Sequence, residues 1–305
     1  MKQLLFLLLF ITPFSTVPHN IRFFTDDHCL SNTSIAYIFA HGLGGNFKQA
    51  SYYLSEKVRY PEWPTTKDYW IINKPVISFD FPELVYDEQR NTHAFYQEKA
   101  NVAQQGDIDA LRAAYEKAEQ ELPNHRFVGV GVSRGASTWI NFCALHKPAK
   151  IAALVLESPF DSLVSVVKHY VKFLPGANYF VSLFGKKILK YKFPSWDGDF
   201  CCPLDLVDQI PTNIPIFMFH SEKHMLIPAE CSRRLCQKLA NSGHEVYLLI
   251  VKQGSHANVF FDQEAHICNY AVHAFYKKYK LPCNETYAQQ GILILDWCKV
   301  KPSIK

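Results

Sequence analysis

The sequence is short of several things, and each shortage removes a class of answer. No apolar run reaches the roughly 20 residues that a membrane-crossing helix needs. The one apolar stretch near the start, Leu4 to Ile11, is broken by Pro13. Paired Cys-x-x-Cys spacing is absent, so nothing points to a structural zinc site. Lysines and arginines are not gathered with aromatics into a nucleic-acid module, and a net charge of +4 is modest, so no nucleic-acid partner is expected. There is no internal repeat and no low-complexity segment.

What is present is ordinary globular material. The 305 residues are 48% hydrophobic and 20% charged, enough for one large α/β domain with a sizeable core. Lys2 followed by the Leu4–Ile11 run has the shape of an export signal, so we read 1–18 as a signal peptide and 19–305 as the mature domain. No small-x-small pair marks a cleavage site, which leaves an uncleaved anchor as the alternative. The expected location is therefore outside the cytoplasm: periplasmic, secreted or in a secretory pathway. Nine cysteines suit an oxidising compartment. Cys283 and Cys298 lie in what reads as a C-terminal tail, and a staple there would tie it down. Cys143 and Cys236 fall on apolar helix faces and read as buried thiols. Asn32-Thr33-Ser34 and Asn284-Glu285-Thr286 match the glycosylation pattern.

Along the chain, apolar strand patterns at Ser34–Ala40, Pro75–Phe81, Arg126–Val132, Ile151–Leu156, Ile214–Phe219 and Val246–Val251 alternate with helical spacing. The helices are expected over Asp107–Leu122, with Asp107 as cap, and then Ala136–His146, Pro228–Ala240 and Gln263–Tyr279. This rhythm calls for a mostly parallel central sheet flanked by helices. Leu163 to Asp205 breaks it. That stretch, rich in Phe, Tyr and Lys, reads as a short helical cap inserted over the carboxyl edge of the sheet, at about 163–205.

Gly131-Val132-Ser133-Arg134-Gly135 sits between the third strand pattern and its helix. A serine with a glycine two residues to either side, on a strand-to-helix turn, is the nucleophile elbow. The turn is too tight for flanking side chains, and it lifts the serine Oγ above the sheet edge. A simple turn serine is the bland alternative. With His41-Gly42-Leu43-Gly44-Gly45 after the first long strand, Ile216–Pro228, and Gly254-Ser255-His256 after the last, four marks stand in order.

In that order the chain resembles an α/β-hydrolase over nearly all of its mature length. The resemblance implies the α/β-hydrolase fold, serine-hydrolase chemistry and no cofactor or metal. It implies Ser133 as nucleophile and His256 as the base that takes its proton. It also implies the backbone amides of Leu43 and Arg134 as oxyanion donors. The Arg134 side chain could steer an anionic substrate group, or merely pack.

The acid departs from the family pattern. Its usual aspartate position, ahead of Ile227-Pro228, is occupied by His224, which cannot offset an imidazolium. Glu222, on the same loop, and Asp161, after the preceding strand, are the two substitutes; working without an acid is the third option. His220, His224 and His256 could also be read as metal ligands, against the loop setting of their spacing.

Three functions stay open. The first is an exported serine esterase acting through an acyl-enzyme on apolar or lipid-like esters. Its cap would cover an acyl chain and touch a membrane surface through lysines, although a solvated cap with its own small core is the plainer reading. The second is a serine aminopeptidase holding a free amine with Asp197, Asp199 and Asp205. The third is a catalytically impaired binding protein on the same frame. Oligomeric state is not legible.

Overall fold

The computed structural model describes residues 20–24, 34–50, 75–171, 176–196, 198, 201–223, 226–254, 256, 259 and 264–303. Residues 1–18, expected to be a signal peptide, and Asn32, Asp197, Asp199 and His224 lie outside them. Seven described strands form one sheet in the order β1 (Arg22–Phe24), β3 (Val76–Ser78), β2 (Ile35–Ala40), β6 (Arg126–Val132), β7 (Ile151–Glu157), β8 (Ile216–Ser221), β9 (Val246–Val251). All neighbours run parallel except β1, which pairs antiparallel to β3 on one edge. A separate antiparallel ribbon joins β4 (Leu84–Asp87) to β5 (Thr92–Phe95).

The apolar runs become strands because both faces of the sheet are covered, so every side chain of β2, β7 and β8 is buried. Period-two alternation sorts them. Ala36, Ile38 and Ala40 join a core with α1 (Gln105–Glu121), α2 (Arg134–His146) and α6 (Ala229–Asn241). Ile35, Tyr37 and Phe39 join a second core with α7 (Ala265–Lys278) and α8 (Glu285–Cys298). Register then does the functional work. Ala40 pairs with Gly131, Gly131 with Leu156, Leu156 with Met218, and Met218 with Leu248. The carboxyl ends of five strands far apart in sequence therefore open onto one edge.

The cap contributes α3 (Leu163–Val171) and α4 (Ala177–Lys192), and the short α5 (Pro203–Leu206) follows it. On α4, Val181, Gly185 and Leu189 are buried at four-residue spacing, the stripe by which it packs. Among the described residues no helix is long and apolar enough to cross a membrane.

Three readings need correcting. Asp107 does not cap its helix; α1 starts from Gln104, and the Asp107 carboxylate accepts from Ala103 N and binds Arg134. The expected tail is helix α8, capped by Asn284 Oδ1 accepting from Tyr287 N at 3.0 Å. Cys283 and Cys298 are accordingly free thiols. Cys283 precedes α8 and Cys298 is the last of its 14 residues, and a helix of that length spans about 20 Å, well past the reach of a disulfide.

Gly291 lets α8 press onto α7: a Cβ there would lie 1.9 Å from the Tyr270 carbonyl oxygen. Gly291→Ala gains helix propensity of about 1 kcal/mol, yet the overpacking costs about 1–3 kcal/mol. We expect a lower thermal midpoint. An unchanged or raised midpoint would show that the two helices can separate freely.

Candidate active site

β6 runs directly into Ser133, whose φ of 54° and ψ of −114° put a non-glycine residue in a sparsely allowed region. Such strain persists only where the surroundings impose it. Here Ser133 N donates to Glu157 O at 2.7 Å, and Ser137 N closes the first turn of α2 on Ser133 O at 3.1 Å. Both flanking glycines are demanded by space. A Cβ at Gly131 would meet Ala136 N and Cα at 2.7 Å, and one at Gly135 would meet Ala40 O at 2.0 Å.

The glycine loop comes up beside this turn. A Cβ at Gly42 would be 3.6 Å from Ser133 Cβ, and Gly45 N turns the loop back on Gly42 O at 3.1 Å. Asp80, buried at the end of β3, anchors its far side by accepting from Phe47 N at 2.8 Å. Among the described residues neither the Leu43 amide nor the Arg134 amide has a backbone acceptor. Arg134 N is also a first-turn donor of α2, where the helix dipole favours negative charge. The loop's His41 is fully buried, holds Gly42 O through Nδ1 at 2.7 Å, and packs edge-on to Phe81.

The Arg134 side chain takes no substrate. It is 1% exposed and binds Glu83 and Asp107 together: Nη2 reaches Glu83 Oε2 at 2.8 Å and Nε reaches Asp107 Oδ2 at 2.5 Å, with Nη1 also on Glu83. Its guanidinium lies 4.2 Å from the centre of the Phe81 ring. Burial alone would raise Glu83, but Arg134 outweighs it and holds that carboxyl below its ordinary value. Asp107 is pushed up by burial despite the same cation. The steering role conceived for Arg134 is thus replaced by anchorage of the elbow.

His256, half-buried, follows β9, and burial lowers its pKa to about 4. Among the described residues no hydrogen bond joins it to Ser133, Glu222 or Asp161, though it does have an interaction of its own. Both sequence candidates for the acid are engaged by neighbouring arginines of α6. Glu222 is exposed and paired with Arg233. Asp161 is fully buried, accepting from Arg234 Nε at 2.6 Å and from Ser162 N at 2.7 Å. Asp205 lies on the surface in α5. Among the described residues no three His, Cys, Asp or Glu side chains gather as a metal site.

Sequence reasoning passed over Glu157. It ends β7 fully buried, and its Oε1 accepts from Val259 N at 3.1 Å, in the loop that carries His256. Its backbone carbonyl meanwhile holds Ser133 N. One residue therefore touches both the elbow and the histidine loop. The signal was a carboxylate closing an apolar strand, where burial of a charge demands a reason.

No protein-family model matches the chain, and no curated protein matches it. Solved structures do. The chain is similar to an acylaminoacyl peptidase of Pyrococcus horikoshii, at 17% identity over 90% of this chain and 41% of that one, with a TM-score of 0.57. It is similar to esterase Pf2001 of Pyrococcus furiosus at 16% identity, 81% and 82% coverage, and a TM-score of 0.53. A puromycin-hydrolyzing peptidase of Mycobacterium tuberculosis gives 14%, 87% and 38%, with 0.58. The chain thus spans about two fifths of the length of these peptidases and most of the esterase. The likenesses show the α/β-hydrolase fold.

Arg134→Ala leaves two buried carboxylates without their cation, and we expect a loss of about 3–5 kcal/mol in urea unfolding; a loss below about 1 kcal/mol would show the cluster to be hydrated. A second outcome concerns pH. Burial lowers His41, His220 and His256 each from 6.5 to about 4. Between those values the unfolded chain takes up protons that the fold refuses. Stability is therefore complete above the ordinary value and falls as pH drops through the window. The urea midpoint should decline steadily from about pH 6.5 to about pH 4. A flat midpoint there would mean that these imidazoles charge freely inside the fold.

Proposed function

We propose that the chain is a serine hydrolase that cleaves carboxylic esters with an apolar acyl part through an acyl-enzyme on Ser133. The observation that carries this is the strained backbone of Ser133 at the start of α2, with φ of 54° maintained by two obligatory glycines. Strain of that kind costs of order 1–3 kcal/mol and collects at functional sites. In the proposed mechanism Ser133 Oγ attacks the ester carbonyl and His256 takes its proton. The Leu43 and Arg134 amides receive the oxyanion, and the alcohol leaves with the proton returned by His256. The low pKa of His256, about 4, keeps the imidazole neutral at neutral pH. A carboxylate completes the arrangement by stabilising the imidazolium. Asp161, Glu222 and Glu157 are the candidates, and Glu157 is supported by its bond to the histidine loop.

A binding protein on the same frame is the second reading. It is favoured by one observation: Asp161 and Glu222 both spend their charge on arginines.

A fluorophosphonate probe with peptide mapping separates the two. We expect label on Ser133 and none in Ser133→Ala. Turnover of p-nitrophenyl acyl esters should exceed that of aminoacyl anilides. Among Glu157→Gln, Asp161→Asn and Glu222→Gln, the variant that removes the working acid should lose on the order of ten-thousandfold in kcat. Absence of label on Ser133 in the folded protein would sink the hydrolase reading. Three fully active variants would remove the carboxylate from the mechanism.

A further inference from the structure

We propose that the cap is a docking surface for an anionic lipid bilayer, and that a basic cavity at its base seats a headgroup oxyanion. The inference does not depend on the reactivity of Ser133. It begins with charge: from Ser162 to Trp196 the sequence holds six lysines and no aspartate or glutamate. Elsewhere the chain mixes both signs, as a net charge of only +4 shows.

The second observation is geometric. While α4 buries Val181, Gly185 and Leu189, its opposite side carries Tyr179, Phe180, Leu183, Phe184, Ile188 and Tyr191, between 40% and 90% exposed. These recur at helical spacing on the exposed side of the helix, with Lys187 and Lys190 interspersed among them. Phe180 and Phe184 lie against one another at 4.8 Å between ring centres, and Lys187 Nζ sits 5.9 Å from the Phe184 ring. An exposed aromatic and aliphatic surface with lysines set among its rings has the composition of a helix lying in the headgroup boundary. A second copy of the chain fits poorly, because a symmetric contact would set one lysine row against its equal.

The third observation is the cavity. About 540 Å³ opens between α3, α4 and the start of α6, lined by Lys168, His169 and Arg234 with the hydroxyl residues Ser165, Ser182 and Tyr179, and with Pro228. Among the described residues no carboxylate lines it, although Asp161, buried behind, and Glu230 on the same helix both pair with Arg234. Tyr179 belongs to both the cavity and the apolar face, so the two are continuous. A bilayer meeting α4 would present its phosphates and carboxylates to this cluster.

The test is co-sedimentation of the full chain with vesicles of phosphatidylcholine alone and of phosphatidylcholine with phosphatidylserine. We expect binding to the anionic vesicles, little to the neutral ones, and release as salt shortens the screening length. Lys187→Glu with Lys192→Glu should weaken that binding about tenfold or more, and Leu183→Asp with Tyr191→Asp should abolish it. These positions are exposed, so thermal midpoints are expected to hold; Ser133→Ala should bind as the parent does. Failure to bind anionic vesicles, equal binding to both kinds, or full binding by both double variants would each overturn the proposal. A dimer that forms without vesicles and is lost in Leu183→Asp with Tyr191→Asp, while vesicles stay unbound, would assign the face to a second copy instead.

Discussion

The structure around the site depends on one buried cation. Arg134 joins the elbow to Glu83, which opens the β4–β5 ribbon, and to Asp107 in the first turns of α1. Three chain segments that follow three different strands are thereby locked at one edge. With two carboxylates and one guanidinium out of water, geometry has to be close to ideal for the charges to offset their lost hydration. Bidentate contacts and the face of Phe81 provide that. The same residue presents its backbone N–H at the start of α2, so its side chain fixes where that amide points.

The elbow shows how close packing and chemistry serve one another. A parallel sheet has no room for side chains where α2 crosses back over β2 and β6, and the glycines at 131 and 135 are the result. Ser133 is then held in a backbone conformation it would not choose. Glu157 extends the arrangement to the far side, with its carbonyl on the elbow and its carboxylate on the histidine loop. The neighbouring Asp161 instead turns to Arg234 and ties the cap's root to α6. Two carboxylates four residues apart thus support different parts of the molecule, because the strand ends between them.

The cap is a different kind of surface. The apolar residues of the central strands are covered on both faces of the sheet, whereas α4 uses one apolar stripe for packing and displays other apolar residues. The core hydrophobics thus belong to a folded domain, and the exposed ones on α4 invite an environment that water does not supply.

Much of this was legible beforehand. Apolar runs bounded by turn residues placed β2, β6, β7 and β9 within a residue or so, because a doubly covered parallel strand must be apolar throughout. The elbow was readable because only glycine fits beside it. The short β1, the β4–β5 ribbon and helix α8 were not, since brief edge strands and a helix with a central glycine carry little periodic signal. Charge partners were hidden for another reason. Arg134 is 27 residues from Asp107 and 51 from Glu83, and nothing local in the chain says which carboxylate a buried guanidinium will find. Local sterics and solvation are written residue by residue, and they determined the strands, the turn and its serine. Pairing between distant charges exists only once the sheet brings its strand ends together, so the tertiary structure alone decided what Arg134, Asp161 and Glu157 each hold.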